Sequence, residues 1–253
     1  MSNYLDKLHK FGIVKLDKMT GDDLSWLREI VNLNYKNRLL LCYPKMEESI
    51  LNNNINLYHE IRNLVDHEML WKKKYRLFNN IQIEELVKRN FYTNLVDIFG
   101  DFKISDQTYD GELFEGQEEV YWRLVSPGIE NDVGGLHADS WFHEAHKLNF
   151  YNNSSVYKTL KVWIPVYCEN SKNGLMGVSG SHTRNHKFYF EKRNNINYPV
   201  YSGIVSALEL ELIDTNPGEI LVFDDNYLHM GSLNNGYETR VSIEITLKFQ
   251  NCT

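Results

Sequence analysis

Cysteine is scarce in this chain of 253 residues: Cys42, Cys168 and Cys252 are all it has. Far apart and odd in number, they cannot build a disulfide scaffold and instead fit a reduced, cytoplasmic setting. Long apolar runs are also missing. No stretch approaches the roughly 18 apolar residues of a membrane span, mean hydropathy is -0.46, and the opening MSNYLDKLHK lacks the apolar centre of a signal peptide. Basic excess is absent too. Net charge is -7, with residues 1–109 holding 16 Lys+Arg against 15 Asp+Glu and residues 110–253 holding 11 against 19. A nucleic-acid binder needs a basic footprint, and this chain has none. Its single basic cluster, Lys72-Lys73-Lys74 with Arg76, reads as a solvated helix end. At 42% hydrophobic and 24% charged residues, the composition excludes disorder, collagen and coiled coil.

What remains is a globular pattern in two textures. Gly12-Ile13-Val14-Lys15-Leu16 alternates like a short strand, and Thr20 is placed to cap a helix running to about Leu40. The spacing predicts a second helix over Leu57–Arg76 and a third over Ile83–Phe99, closed by Gly100. After about residue 110 come seven β-rich runs bounded by turn residues: Val120–Val125, Leu136–Phe142, Thr159–Tyr167, Leu175–Val178, Gly203–Leu212, Glu219–Phe223 and Arg240–Phe249. Helices first and strands afterwards make an α+β chain with an antiparallel sandwich or barrel. No repeat and no Gly- or Pro-rich linker divides it, so the expectation is one domain over 1–253: a mainly helical flank over 1–110 and a β core over 111–253.

The chemistry concentrates in the second part. In a strand, His137 and Asp139 of Gly134-Gly135-Leu136-His137-Ala138-Asp139 would share a face. His229 follows 90 residues after Asp139, behind the strand-like Pro217-Gly218-Glu219-Ile220-Leu221-Val222-Phe223. Two imidazoles and one carboxylate with open positions suit non-haem Fe(II). Arg240 comes 11 residues beyond His229, across Asn234-Asn235-Gly236. A two-residue Asn235-Gly236 loop would set Gly231 opposite Arg240 and His229 opposite Ser242, with all four on one hairpin face. A guanidinium there grips a carboxylate bidentately. The ordinary alternative is a strand salt bridge from Arg240 to Glu238 or Glu244.

These residues resemble the phytanoyl-CoA dioxygenase family of Fe(II)/2-oxoglutarate-dependent oxygenases. The likeness rests on His137-Ala138-Asp139, His229 and Arg240. Supporting stretches are Lys161-Val162-Trp163-Ile164-Pro165, Asn173-Gly174-Leu175, Gly180-Ser181-His182 and Phe11-Gly12-Ile13-Val14. It covers roughly residues 9–31 and 121–247 and leaves 32–120 unmatched. The resemblance implies a double-stranded β-helix (jelly-roll, cupin-like) core in which His137, Asp139 and His229 hold iron. By the same likeness Arg240 takes the distal carboxylate of 2-oxoglutarate, helped by Ser242 or Ser232, with Trp163 and Arg123 as further cosubstrate contacts. It also implies hydroxylation of a small molecule, with O₂ and 2-oxoglutarate converted to CO₂ and succinate. The Asp139 carboxylate favours hydroxylation over halogenation, since related halogenases carry a small residue there.

Trp141 and Phe142, then His143 and His146, are candidates for the substrate wall, and Arg184 with Lys187 for an anionic substrate group. Core packing and a solvated loop are the plain alternatives. His182 and His186 have helical spacing for zinc but no cysteine nearby. Asp224 and Asp225 read as a turn device. Tyr151–Tyr157 reads as a loop over the site. Other reactions of the same centre (desaturation, epimerisation, ring formation) stay open, as does a jelly-roll binding protein or metal isomerase without 2-oxoglutarate.

Overall fold

The computed structural model describes residues 2–48, 53–109, 113–142, 157–193 and 196–250. The chain opens with helix α1 (Ser2–Phe11), strand β1 (Ile13–Leu16) and the long helix α2 (Gly21–Cys42). The Thr20 hydroxyl accepts the Asp23 N–H at 3.1 Å and caps α2 as its sequence predicts. Leu27, Val31, Tyr35 and Leu39 recur at helical spacing and bury that face completely.

The expected helix over Leu57–Arg76 is instead a series of short turns, with α-helical pieces at Tyr58–Ile61 and His67–Leu70 and 3-10 turns between. Val65 is extended, and the Asp66 carboxylate accepts the Met69 N–H at 3.0 Å, so Asp66 starts a new turn where a continuous helix would have run on. The third expected helix is also two, Asn80–Leu86 and Asn90–Phe99. The break is held from outside: the buried Asp23 of α2 accepts the Phe91 N–H at 3.3 Å and caps the second piece. Gly100, at φ 82°, ends it.

Strands follow in order: β2 (Lys103–Ile104), β3 (Gln107–Tyr109), β4 (Leu113–Glu115), β5 (Val120–Val125), β6 (Tyr157–Tyr167), β7 (Leu175–Val178), β8 (Phe188–Arg193), β9 (Ile196–Tyr201), β10 (Leu210–Ile213), β11 (Ile220–Asp224), β12 (His229–Gly231) and β13 (Arg240–Gln250). The major sheet is antiparallel, ordered β1-β11-β6-β13-β2, with β5 also paired to β13. The minor sheet is β10-β7-β12. Two runs expected to be strands are so only in part. Leu136–Phe142 makes a single bridge at His137 and then turns into a helical start at Ser140. Gly203–Leu212 contains a 3-10 turn at Val205–Ala207 before β10.

The major sheet has two unlike faces. Val120, Trp122 and Leu124 of β5, Val162 and Ile164 of β6, and Val241, Ile243, Ile245 and Leu247 of β13 pack against α2 and the flank in one apolar core. Trp71 joins the layers, meeting Trp122 edge-on at 5.0 Å and stacking on Tyr35 at 5.8 Å. The opposite face carries Tyr121 and Arg123, Lys161 and Trp163, and Arg240, Ser242, Glu244 and Thr246, because alternate residues of a strand point to opposite sides. It looks toward the minor sheet: Trp163, Leu221 and Phe223 share a cluster with Leu175 of β7.

Candidate metal centre

The site forms where the minor sheet's edge is extended by one residue. His137 and His229 bond backbone to backbone in both directions, at 3.1 and 2.9 Å, which sets their rings 4.6 Å apart. Each imidazole gives its Nδ1–H to the carbonyl two residues earlier, His137 to Gly135 at 2.6 Å and His229 to Tyr227 at 2.9 Å. A carbonyl only accepts, so Nδ1 must carry the proton and Nε2 keeps its lone pair for a metal. Asp139 reaches the same point from the turn after His137, its Oδ2 lying 3.5 Å from His229 Nε2. One donor atom from each of the three falls within 4.8 Å of the others. Burial, and then the neighbouring His229, push the His137 pKa down to about 4, so this ring stays neutral. Two imidazoles and a carboxylate at this spacing fit a divalent metal of the non-haem iron type.

Beside this centre lies a buried cation. Arg240, 3% exposed, gives Nη1 to the Gly174 carbonyl, and its Nε has no hydrogen-bond partner. Ser242, on the same face of β13, is fully buried with its Oγ also unpaired. Burial and then Arg123 push the Arg240 pKa down to about 10, the mark of a charge short of a counter-ion. Trp163 stands 5.9 Å from the guanidinium. A Cβ on Gly231 would come within 3.1 Å of Arg240 Nη2, so any larger residue there would press on the guanidinium. Orphaned buried donors are uncommon, and a carboxylate would satisfy both. Ser232 is held differently, its hydroxyl accepting the Gly174 N–H at 2.8 Å.

The hairpin geometry expected for this region does not form. β12 pairs with β7, whereas β13 pairs with β5 and β6, so His229 does not face Ser242. The Asn234 side chain accepts the Gly236 N–H and donates to the Glu238 and Val125 carbonyls, making the segment a corner between two sheets. Gly231 and Arg240 still meet, across the gap between sheets. Glu238 bonds Asn56, and Glu244 accepts from Tyr121 and lies 3.6 Å from Arg123.

Arg123 projects from β5 beside the centre, its Nη2 about as close to Gly134 as the His137 ring is. Burial opposes its charge, yet Glu244, Tyr121 and Asp139 hold its pKa above the usual arginine value. Lys161, in the Lys161-Val162-Trp163-Ile164-Pro165 stretch, also reaches the centre. Its ammonium, on a residue 8% exposed, bonds Thr246 Oγ1 at 2.7 Å and lies 3.8 Å from both Glu119 Oε2 and Asp139 Oδ1. No motif in the sequence marks Glu119 or Glu244 as a site residue. The signal for them was the alternation of polar residues along strands whose other face is wholly apolar.

Phe142 meets the His137 ring edge-on at 5.2 Å. Trp141 instead stacks on Phe188 at 4.5 Å and packs among Leu136, Ala138, Val178 and Leu228. Arg184 and Lys187 are exposed. His182 bonds the His9 carbonyl and His186 the Ser181 carbonyl, and among the described residues the sole metal-competent group is His137, Asp139 and His229. Asp224 Oδ1 accepts the Asn226 N–H at 3.0 Å, a turn device as expected. His143, His146 and residues 151–156 lie outside the described residues.

No protein-family description and no curated protein matches the sequence significantly. Solved structures do match in shape. EvdO2 from Micromonospora carbonacea var. aurantiaca, complexed with 2-oxoglutarate, superposes with TM-score 0.58 at 13% identity, over 100% of this chain and 93% of that one. The epimerase SnoN, in complex with Fe3+, alpha ketoglutarate and nogalamycin RO, gives 0.55 at 10% identity over 97% and 82%. SnoK, a non-heme alpha ketoglutarate dependent carbocyclase from nogalamycin biosynthesis, gives 0.57 at 10% identity over 98% and 84%. At such identity the likeness is one of fold. The helical flank is part of that shared fold, because each match spans nearly the whole chain.

Proposed function

We propose that this chain is an Fe(II)/2-oxoglutarate-dependent oxygenase that hydroxylates a polar small molecule. The observation that carries the reading is one conjunction: three donor atoms within 4.8 Å, next to a buried arginine and serine whose polar atoms lack partners. Either feature alone has ordinary explanations. Together they match a metal and a carboxylate-ended chelator bound side by side, and the fold they sit in is shared with proteins solved with such ligands.

His137 and His229 would hold Fe(II) through Nε2 and Asp139 through one oxygen. Arg240 would take the distal carboxylate of 2-oxoglutarate bidentately, with the Ser242 hydroxyl as a second donor and Trp163 as the apolar wall. Arg123 supplies a cation on the metal side of that pocket. Bound there, iron and 2-oxoglutarate supply the power to oxidise a C–H bond, with O₂ consumed and succinate and CO₂ released. Phe142 is the only described residue of the expected substrate wall whose ring meets an imidazole of the metal centre.

Epimerisation or ring closure is the second reading, favoured by the epimerase and carbocyclase among the structural neighbours. The first test is whether the protein converts 2-oxoglutarate to succinate only when Fe(II) and O₂ are both supplied. Turnover that Asp139→Ala abolishes supports the oxygenase. Turnover that survives that change, or that needs no iron, sinks it.

A further inference from the structure

The two oxygens of Asp139 face different partners. Oδ2 lies 3.5 Å from His229 Nε2, on the metal side, and Oδ1 lies 3.8 Å from the Lys161 ammonium. We infer that Lys161 is a positioning residue: it occupies Oδ1 and so keeps Asp139 a one-oxygen ligand. This rests on the oxygenase reading of the same centre and adds a role for a residue that holds neither metal nor cosubstrate.

Lys161 is built in for the task. It leaves β6 level with Thr246 of β13 and Phe223 of β11, on the inner face of the major sheet. An ammonium has three N–H donors, and three oxygens surround this one: Thr246 Oγ1 at 2.7 Å, Glu119 Oε2 at 3.8 Å and Asp139 Oδ1 at 3.8 Å. Glu119 is itself gripped from the other side by Lys73, on the 3-10 turn Lys73–Tyr75 of the helical flank. Charges therefore alternate from the flank to the metal carboxylate: Lys73, Glu119, Lys161, Asp139. Burying such a row is expensive unless each member is paired.

The consequence is chemical. A free carboxylate can chelate a metal with both oxygens and thereby fill two positions. A chelating 2-oxoglutarate needs two positions of its own and O₂ a third, so a two-oxygen Asp139 would compete with them. The ammonium removes one oxygen from that competition. It should thus leave metal binding alone and favour binding of 2-oxoglutarate.

That split can be measured without turnover. Cobalt(II), whose visible absorption reports coordination number, is titrated anaerobically into wild type, Lys161→Met and the double variant Lys161→Met with Glu119→Gln, followed by 2-oxoglutarate. The double variant removes the carboxylate that the single change strands, so that a folded protein is in hand. Lys161 as positioning residue predicts cobalt affinity equal to or tighter than wild type, weaker cobalt absorption as coordination number rises, and 2-oxoglutarate affinity down about tenfold or more. Lys161→Arg should restore wild-type behaviour. Weaker 2-oxoglutarate binding with unchanged cobalt absorption would overturn the inference, because loss of charge alone does that. Parallel loss of cobalt and 2-oxoglutarate binding would overturn it as well. If wild type itself binds no cobalt, the oxygenase reading fails and takes the inference with it.

Discussion

The two faces of β13 are both largely buried and behave in opposite ways. On one, Val241, Ile243, Ile245 and Leu247 are all fully covered and packed against the helical flank. On the other, Arg240 and Thr246 are nearly covered and Ser242 wholly so, yet Arg240 Nε and Ser242 Oγ are left without partners. Burial alone therefore does not mark a core. The apolar face gains from every contact, at about 25 cal/mol per Å² of surface removed from water. The polar face carries groups that each cost roughly 1–3 kcal/mol to leave unpaired. A strand keeps such a face when a ligand completes it.

If that division is right, substitutions should separate binding from stability according to the face they touch. The largest effect belongs to Asp139→Ala, which removes one of three donors and should weaken Fe(II) binding by about three orders of magnitude, read by anaerobic metal titration. On the apolar face, Ile243→Ala should destabilise the protein by about 3–4 kcal/mol in denaturant unfolding, while the folded fraction binds metal and 2-oxoglutarate as before. Arg240→Ala should do the reverse. Its 2-oxoglutarate Kd should rise about 100-fold, and the melting temperature should hold or increase, because an under-compensated buried charge is gone.

A pH series on the metal-free protein reports on two histidines, His67 in the flank and His137 at the site, whose pKa is likewise pushed down to about 4. His67 lies 3.5 Å from Asp132, and its Nδ1 is bonded to Arg62. Burial pushes its pKa from 6.5 down to about 4. The unfolded chain thus takes up a proton that the folded chain refuses, so stability holds above pH 6.5 and falls as pH drops from there toward 4. Between pH 7 and 5 each of the two rings should cost about 2 kcal/mol, and His67→Gln should remove the flank's share while that of His137 remains. Glu119 acts lower down. Burial opposes its ionisation, but Lys161 and Lys73 hold its pKa at about 2 against 4.5, so its contribution is lost only as pH falls from 4.5 toward 2. The smallest effect is Ser242→Ala, worth about 1 kcal/mol or fivefold in 2-oxoglutarate affinity.

How much of this could be read from the sequence follows from the range of each interaction. Val120–Val125 and Leu175–Val178 are strands at their expected ends, because alternation and turn residues are local signals. The Thr20 cap is local too. The break before Asn90 depends on Asp23, 68 positions away, and no window of sequence contains it. Asn235-Gly236 has the composition of a hairpin, but Asn234 is committed to backbone groups on both sides of a corner, so tertiary pairing overrode turn preference. His137, Asp139 and His229 were legible as a set because few residue types bind iron, although the strand expected to align His137 with Asp139 is a bridge followed by a turn. The charged row behind Asp139 was not. Glu119, Lys161 and Lys73 are common residues, and only the fold shows that they touch.

The most direct measurement is an anaerobic titration of the Fe(II)-loaded protein with 2-oxoglutarate, followed by the weak visible charge-transfer band of the chelate. A band that saturates in wild type and disappears at the same concentrations in Arg240→Ala is the predicted result. Iron that binds without any band forming on addition of 2-oxoglutarate would contradict the account.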